Sequence, residues 1–194
     1  MSLTASCKRD MLNAISVDTM KLHTTYPGST GANEVSGGTP AYVAKACAFA
    51  LSAAGEPRSL SAAVVFDVPA ASIGWASCWS GSTLRFIAPT GGSPVEFSSD
   101  LPGNKIKIPA HGYSDGNTIV FFLSSPPSPL VAGTTYYVVS ATVDDFQVSA
   151  TLGGTALNLT TEADADCLVS KIVPRVYAAQ DTHTVASYTF GLPY

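Results

Sequence analysis

Apolar residues first recur at helical spacing. In "CKRDMLNAISVDTMKL", Met11, Leu12, Ile15, Thr19 and Met20 approximate one stripe, with charged residues in the first turn. The spacing predicts a helix over about residues 6–19. The pattern breaks at "LHTTYPGSTGANEVSGG", residues 22–38, which is rich in glycine and short polar side chains. Beyond it the period becomes that of strands. "AYVAKACAFAL" alternates over 41–51, and "SLSAAVVFDVP" and "ASIGWASCWS" are short apolar runs bounded by Gly, Pro and Ser. "STLRFIAP" follows a turn at Ser80-Gly81. Regularly spaced short runs of this kind predict an antiparallel sandwich or barrel.

A second β pattern begins at Gly91. Asp115-Gly116 is a turn dipeptide ahead of a buried strand over 118–123. A Pro-rich loop, the run "TTYYVV", a turn at Asp144-Asp145 and the alternating "FQVSA" come next. A Gly153-Gly154 turn then leads to another short strand, and residues 183–190 alternate again. The expected fold is mainly β: an antiparallel β-sandwich or barrel with one short N-terminal helix and a second, inserted β module. The expected domains are 1–91 plus 173–194, with the module at 92–172.

Composition narrows the function classes. Charged residues make up 12% of the chain and hydrophobic residues 46%, which excludes a disordered chain. The net charge is −4 and the ten basic residues are scattered, so neither nucleic acid nor an anionic membrane is expected as a partner. No apolar run approaches the roughly 18 residues of a membrane span. The first residues lack the basic-then-apolar order of a secretory signal, so a soluble protein made in a cytosol is expected. Cys7, Cys47, Cys78 and Cys167 form no CxxC pair and have no His at metal-ligand spacing. Buried free thiols are the favoured expectation, with a disulfide as an alternative that these spacings do not determine, and no metal or cofactor is expected.

His23 and Glu34 are the first candidates for chemistry. A catalytic His needs a positioned partner and a nucleophile, and no GxSxG or activated Cys accompanies this one. The structural alternative has His23 hydrogen-bonding across the loop while Asn33 and Glu34 cap backbone donors, and this is the favoured reading. His111, Tyr113 and Asp115 read as a hairpin entry. Asp115, Asp144 and Asp145 supply carboxylates that no spacing brings together as a glycosidase pair. Glu162, Asp164 and Asp166 alternate without the EF-hand pattern, as solvated carboxylates on a strand would. Trp75 and Trp79 must share one face of a strand, whereas Tyr136 and Tyr137 must face opposite sides. They read as core or subunit-contact aromatics rather than a sugar-stacking platform.

Two stretches resemble known families. The N-terminal pattern falls on His23-Thr24, Pro27-Gly28, Thr30-Gly31-Ala32-Asn33-Glu34 and Gly37-Gly38. It resembles the start of small tailed-phage virion proteins of the tail-fibre-like or minor tail family, and the likeness continues through "VVFDVPAASIGWASCW". Separately, "IPAHGYSDGNTIVFF" and "LVAGTTYYVVSATVDDFQVSATLGGTALNLT" are similar to a β module of phage fibre and virion-surface proteins. The departure is architectural: the module intervenes at 92–172, and 173–194 resembles the first family's final strands.

The resemblance implies a non-enzymatic structural protein on a virion surface, assembled in the host cytoplasm. Its implied partners are major capsid or tail subunits, and a homotrimer would suit either location. With no shaft or repeat, a capsid decoration or cement protein is favoured. The family label points instead to a tail fibre or minor tail protein in host attachment, and glycan binding is a rival function. The residues expected to form the contact or structural loop are His23, Pro27, Gly28, Asn33, Glu34, Gly37 and Gly38.

Overall fold

A computed structural model describes residues 4–92, 94–122 and 124–190. In chain order the first elements are α1 (Ala5–Ala14), β1 (Thr19–His23), β2 (Lys45–Ala46), β3 (Arg58–Ser59) and β4 (Val64–Val68). Then come β5 (Ala71–Ile73), β6 (Trp75–Ser80), β7 (Thr83–Pro89), β8 (Val95–Glu96), β9 (Ser98–Asp100) and β10 (Lys105–Lys107). The remainder are β11 (Thr118–Phe122), β12 (Thr135–Val139), β13 (Asp145–Ser149), β14 (Leu168–Lys171), β15 (Arg175–Tyr177), β16 (Asp181–Val185) and β17 (Thr189–Phe190). The fold is mainly β, with antiparallel sheets and one short helix among the described residues. The chain divides into two compact units. One joins the residues up to Ile87 with those from Arg175, and the other is Ala88–Pro174.

In the first unit, Thr4 caps α1 by accepting the Cys7 N–H on its hydroxyl at 3.3 Å. The helix stops at Ala14 rather than near 19. Ile15, Val17 and Thr19 are β-branched and lose side-chain freedom in a helix. Asp18 meanwhile commits to a strand: its N–H donates to the Trp79 carbonyl at 2.8 Å and its carboxylate accepts the Gly81 N–H at 2.9 Å. Leu12 is the helix's buried residue and Met11 is exposed, whereas Met20 reaches the core from a strand.

β1 lies inside the four-stranded sheet β2-β1-β6-β7, antiparallel to β6 with Thr19 opposite Trp79, Lys21 opposite Ser77 and His23 opposite Trp75. Three two-stranded ladders, β15-β5, β16-β4 and β17-β3, complete the unit among the described residues. The core gathers Met20, Leu22, Phe66, Val68, Ile73 and Cys78. The strand expected over 41–51 shrinks to Lys45–Ala46. Its later carbonyls turn instead to a buried guanidinium. Arg58 donates to the carbonyls of Ala50 at 3.0 Å, Phe49 at 3.0 Å, Leu12 at 3.1 Å and Ile15 at 2.7 Å. One cation thus supplies donors that a neighbouring strand would otherwise supply.

The second unit is a seven-stranded sheet, β8-β14-β11-β12-β13-β10-β9, over a core of Ile106, Ile119, Phe121, Val138, Phe146 and Val169. The expected turn closes at 114–117, where the Asn117 N–H meets the Ser114 carbonyl at 3.0 Å. Leu123, expected to end that strand, lies outside the described residues. No strand follows Gly153-Gly154. Residues 155–160 run without a ladder, tied by the Leu157 N–H to the Val148 carbonyl at 2.8 Å and the Leu159 N–H to Asn104 Oδ1 at 3.0 Å. Glu162, Asp164 and Asp166 precede β14 rather than lie on a strand. All four cysteines are free, but only Cys78 and Cys167 are buried; Cys47 is half-buried and Cys7 exposed.

Candidate functional site

The polar loop of residues 22–38 packs on one face of the four-stranded sheet. Alternation along β1 and β6 sends Met20, Leu22, Ala76 and Cys78 into the apolar core. The other face carries Lys21, His23, Trp75, Ser77 and Trp79, and the loop folds over it. Tyr26 meets Trp75 edge-on with ring centres 5.1 Å apart. Gly31, at φ +73°, lies so close to the Trp79 ring that a β-carbon there would collide with it. Both tryptophans are therefore buried on what would otherwise be an outer face. β6 is buried on both sides for this reason, which hides its alternation in the sequence.

His23 and Ser77 are both 0% exposed. His23 Nδ1 lies 2.8 Å from the Ala32 carbonyl, which can only accept, so Nδ1 carries the proton. In neutral imidazole Nε2 then accepts, and the Ser77 hydroxyl donates to it at 2.6 Å. Ser77 Oγ in turn accepts the Trp79 indole N–H at 2.7 Å. The order carbonyl, imidazole, hydroxyl has the geometry of a serine nucleophile with its general base. It is sealed, however, so no substrate atom reaches Ser77 Oγ in this conformation. Burial lowers the His23 pKa below its ordinary value, and the Ala32 hydrogen bond and the Glu34 charge oppose that shift only in part.

A second strand of polar contacts holds the loop's far side. Lys21 Nζ meets Glu34 Oε2 at 2.9 Å and sits 4.6 Å from the centre of the Trp79 ring. The Tyr42 hydroxyl oxygen takes the Leu22 N–H at 2.8 Å, and the Glu34 charge acts on that hydroxyl. His23 and Glu34 are bridged through their backbones. Asn33, at φ +60°, donates its amide to the Tyr26 carbonyl at 3.1 Å. Glu34 and Asn33 thus bind a side-chain cation and a carbonyl, not the backbone donors expected of them. The Pro27 carbonyl takes the Ala32 N–H at 2.9 Å, closing the turn that contains Gly28. Gly37 and Gly38 both have positive φ, and a β-carbon on Gly38 would strike the Gln180 side chain.

Elsewhere the expected residues serve turns. His111 Nδ1 accepts the Tyr113 N–H at 2.8 Å, so its Nε2–H faces the Asp145 carbonyl at 3.3 Å. Asp115 caps the Ala141 N–H at 2.7 Å, Asp144 caps the Ala110 N–H at 2.9 Å, and Asp145 pairs with Lys105 at 3.0 Å. These three carboxylates are each engaged separately and do not converge. Asp164 binds the Ser124 hydroxyl at 2.8 Å. Tyr136 is buried and Tyr137 only half so, as alternation requires. No group of three metal-ligating side chains occurs among the described residues. Sequence reasoning did not anticipate Arg58, Ser77 or Tyr42, whose partners lie as far as 46, 54 and 20 positions away along the chain. Comparison with family models, curated proteins and solved structures returns no match.

Proposed function

We propose that the protein is a non-enzymatic structural component of a tailed-phage virion, a surface accessory that stabilises the particle as a capsid decoration or cement protein does. The observation that carries this reading is the state of the 22–38 loop. Its polar residues are spent on one another and on the sheet beneath, so the segment with the phage-like pattern is a rigid element rather than a reaction site. The surface supports the reading too. Leu51, Val43 and Val65 of the first unit are exposed, and the chain has few charges to desolvate. A contact built on such a surface resists salt, because screening acts mainly on charge–charge attraction. The helix and the 22–38 loop lie at or beside that contact, the partners are major capsid or tail subunits, and the assembly is a trimer.

Removing the gene product from particles tests this directly. Particles without the protein should lose heat resistance while still adsorbing to their host. Intact heat resistance with failed adsorption would instead assign the chain to the tail-fibre or minor tail role that the same resemblance names.

A further inference from the structure

Among the described residues of the second unit, one cation has no partner in its own fold. Between residues 88 and 174 the sequence has three lysines and eight carboxylate side chains, and no arginine. Lys105 pairs with Asp145 at 3.0 Å and Lys107 with Asp100 at 2.9 Å. The Lys171 ammonium has neither an ion pair nor a hydrogen bond among the described residues. In so acidic a unit an unpaired lysine is the exception, and this one lines a cavity.

The cavity lies beside the end of β14. Among the described residues, β8 pairs with β14 at Leu168 and Val169. Gly91 and Gly92 run past Lys171, where a β-carbon on Gly92 would strike the Lys171 carbonyl. The facing wall is the segment 108–113. Ala110 is held there at φ +50°, in the left-handed region that alanine seldom adopts, by the Asp144 cap on its N–H. His111 packs against Tyr113 and Phe146, with ring centres 5.1 and 5.2 Å away. Tyr113 lies beside the Lys171 backbone. The walls border a half-open cavity of about 330 Å³ lined by Val95, Ile108, Pro109, Tyr113 and Lys171.

We propose that this cavity is a binding site for one acidic sugar residue, a hexuronate or a carboxylated sugar of similar size. The volume accommodates a single six-membered ring with its substituents and is too small for a peptide segment. One ammonium matches one carboxylate. A phosphate dianion would face the unit's excess of carboxylates with a single cation to offset it. Pro109, Ile108 and the Tyr113 ring offer apolar contact to the sugar C–H faces, while glycine backbone and the Tyr113 hydroxyl suit its hydroxyls. The site stands apart from the virion reading, which its failure would leave untouched.

Backbone amide NMR on the full chain, titrated separately with D-glucuronate, D-glucose and acetate, tests the site. Glucuronate should shift the amides of residues 91–92 and 110–113 with a Kd on the order of 1 mM, the scale of a ligand this small. Glucose and acetate should each bind at least about tenfold more weakly. Lys171→Gln should bring glucuronate down to the glucose level, and Lys171→Arg should retain it, with thermal unfolding confirming that each variant is folded. If Lys171→Gln does not fold, the three-ligand comparison on the wild-type chain decides alone. Absence of shifts with glucuronate, equal binding of glucose or acetate, or unchanged glucuronate binding in a folded Lys171→Gln would each overturn the proposal.

Discussion

The two units meet the same demand, satisfying backbone and side-chain polar groups in a β fold, by opposite means. The first draws on large donors inside the protein: Arg58 across four carbonyls, the Ala32–His23–Ser77–Trp79 chain, and Tyr177 against His183 at 2.9 Å. Its sheets are small, and the described residues include three ladders of only two strands. The second closes one broad sheet and satisfies its turns with short side chains at the surface, such as Asp115, Asp144, Asp164 and Asn104. A unit built on a few central donors is expected to fail wholesale when one is removed. A unit built on many peripheral caps should weaken in small steps.

The two tryptophans both belong to the first unit, so indole fluorescence reports that unit alone. The largest effect is expected from Arg58→Met, which keeps much of the apolar stem but leaves four carbonyls without their donor. Denaturant unfolding followed by fluorescence should show a loss of about 3 kcal/mol. The transition of the second unit, followed by the remaining far-UV circular dichroism, should stay in place. A parallel shift of both transitions would break the contrast between the units. Gly31→Ala comes next, at about 2–3 kcal/mol, because the new methyl meets the Trp79 ring as well as a strained φ. Gly37→Ala has open space around it and should cost about 1 kcal/mol by the same readout.

Acid should separate the units. Burial holds the His23 and His183 pKa values below the ordinary histidine range, with the Arg175 charge adding to the effect at His183. The unfolded chain therefore takes up protons first as pH falls. The first unit's stability is complete above about pH 6.5 and declines below it, down to the lowered folded values. In the second unit, hydrogen bonds from Lys107, Lys105 and Ser124 lower the pKa values of Asp100, Asp145 and Asp164 respectively. That contribution persists until pH drops below about 4 and is lost through the depressed carboxylate values. On acidification the fluorescence midpoint in urea should start to fall while the second unit's midpoint is still constant. The reverse order would contradict the account. An effect as small as that of Gly37→Ala is expected of Asn104→Ala, which removes one cap on the Leu159 N–H at a residue with φ +52°. It should lower the second unit's stability by about 1 kcal/mol with no change in fluorescence.

The same contrast explains what could be read from the sequence. The turns at Asp115-Gly116 and Asp144-Asp145 close locally, with the Asn117 N–H on the Ser114 carbonyl and the Thr142 N–H on the Asp145 carbonyl. Their residue types therefore announce them, although the Asp115 and Asp144 carboxylates reach as far as Ala141 and Ala110. The strands of 64–68, 118–122 and 135–139 bury the residues their patterns select. In the first unit the decisive contacts are long-range. Nothing near Arg58 signals that it will serve carbonyls from residues 12 and 15. The even burial of β6 depends on a loop more than forty positions earlier. The apolar spacing runs past the helix for a related reason: residues 15–20 suit a helix, but β6 pairs with the chain from Thr19 onward and its Trp79 carbonyl takes the Asp18 N–H. The candidate site was legible only as a choice between chemistry and structure. His23 and Glu34 do come together, and what the spacing could not show is that Ser77 would stand behind the imidazole.

The central claim is that His23 is a closed structural key and not a reactive group, and imidazole nitrogen NMR on the folded full chain tests it most directly. The account predicts a neutral ring with the proton on Nδ1, held from pH 8 down past the ordinary histidine value of about 6.5 until the first unit unfolds. A proton on Nε2, or titration of the folded protein's His23 at or above about 6.5, would contradict it.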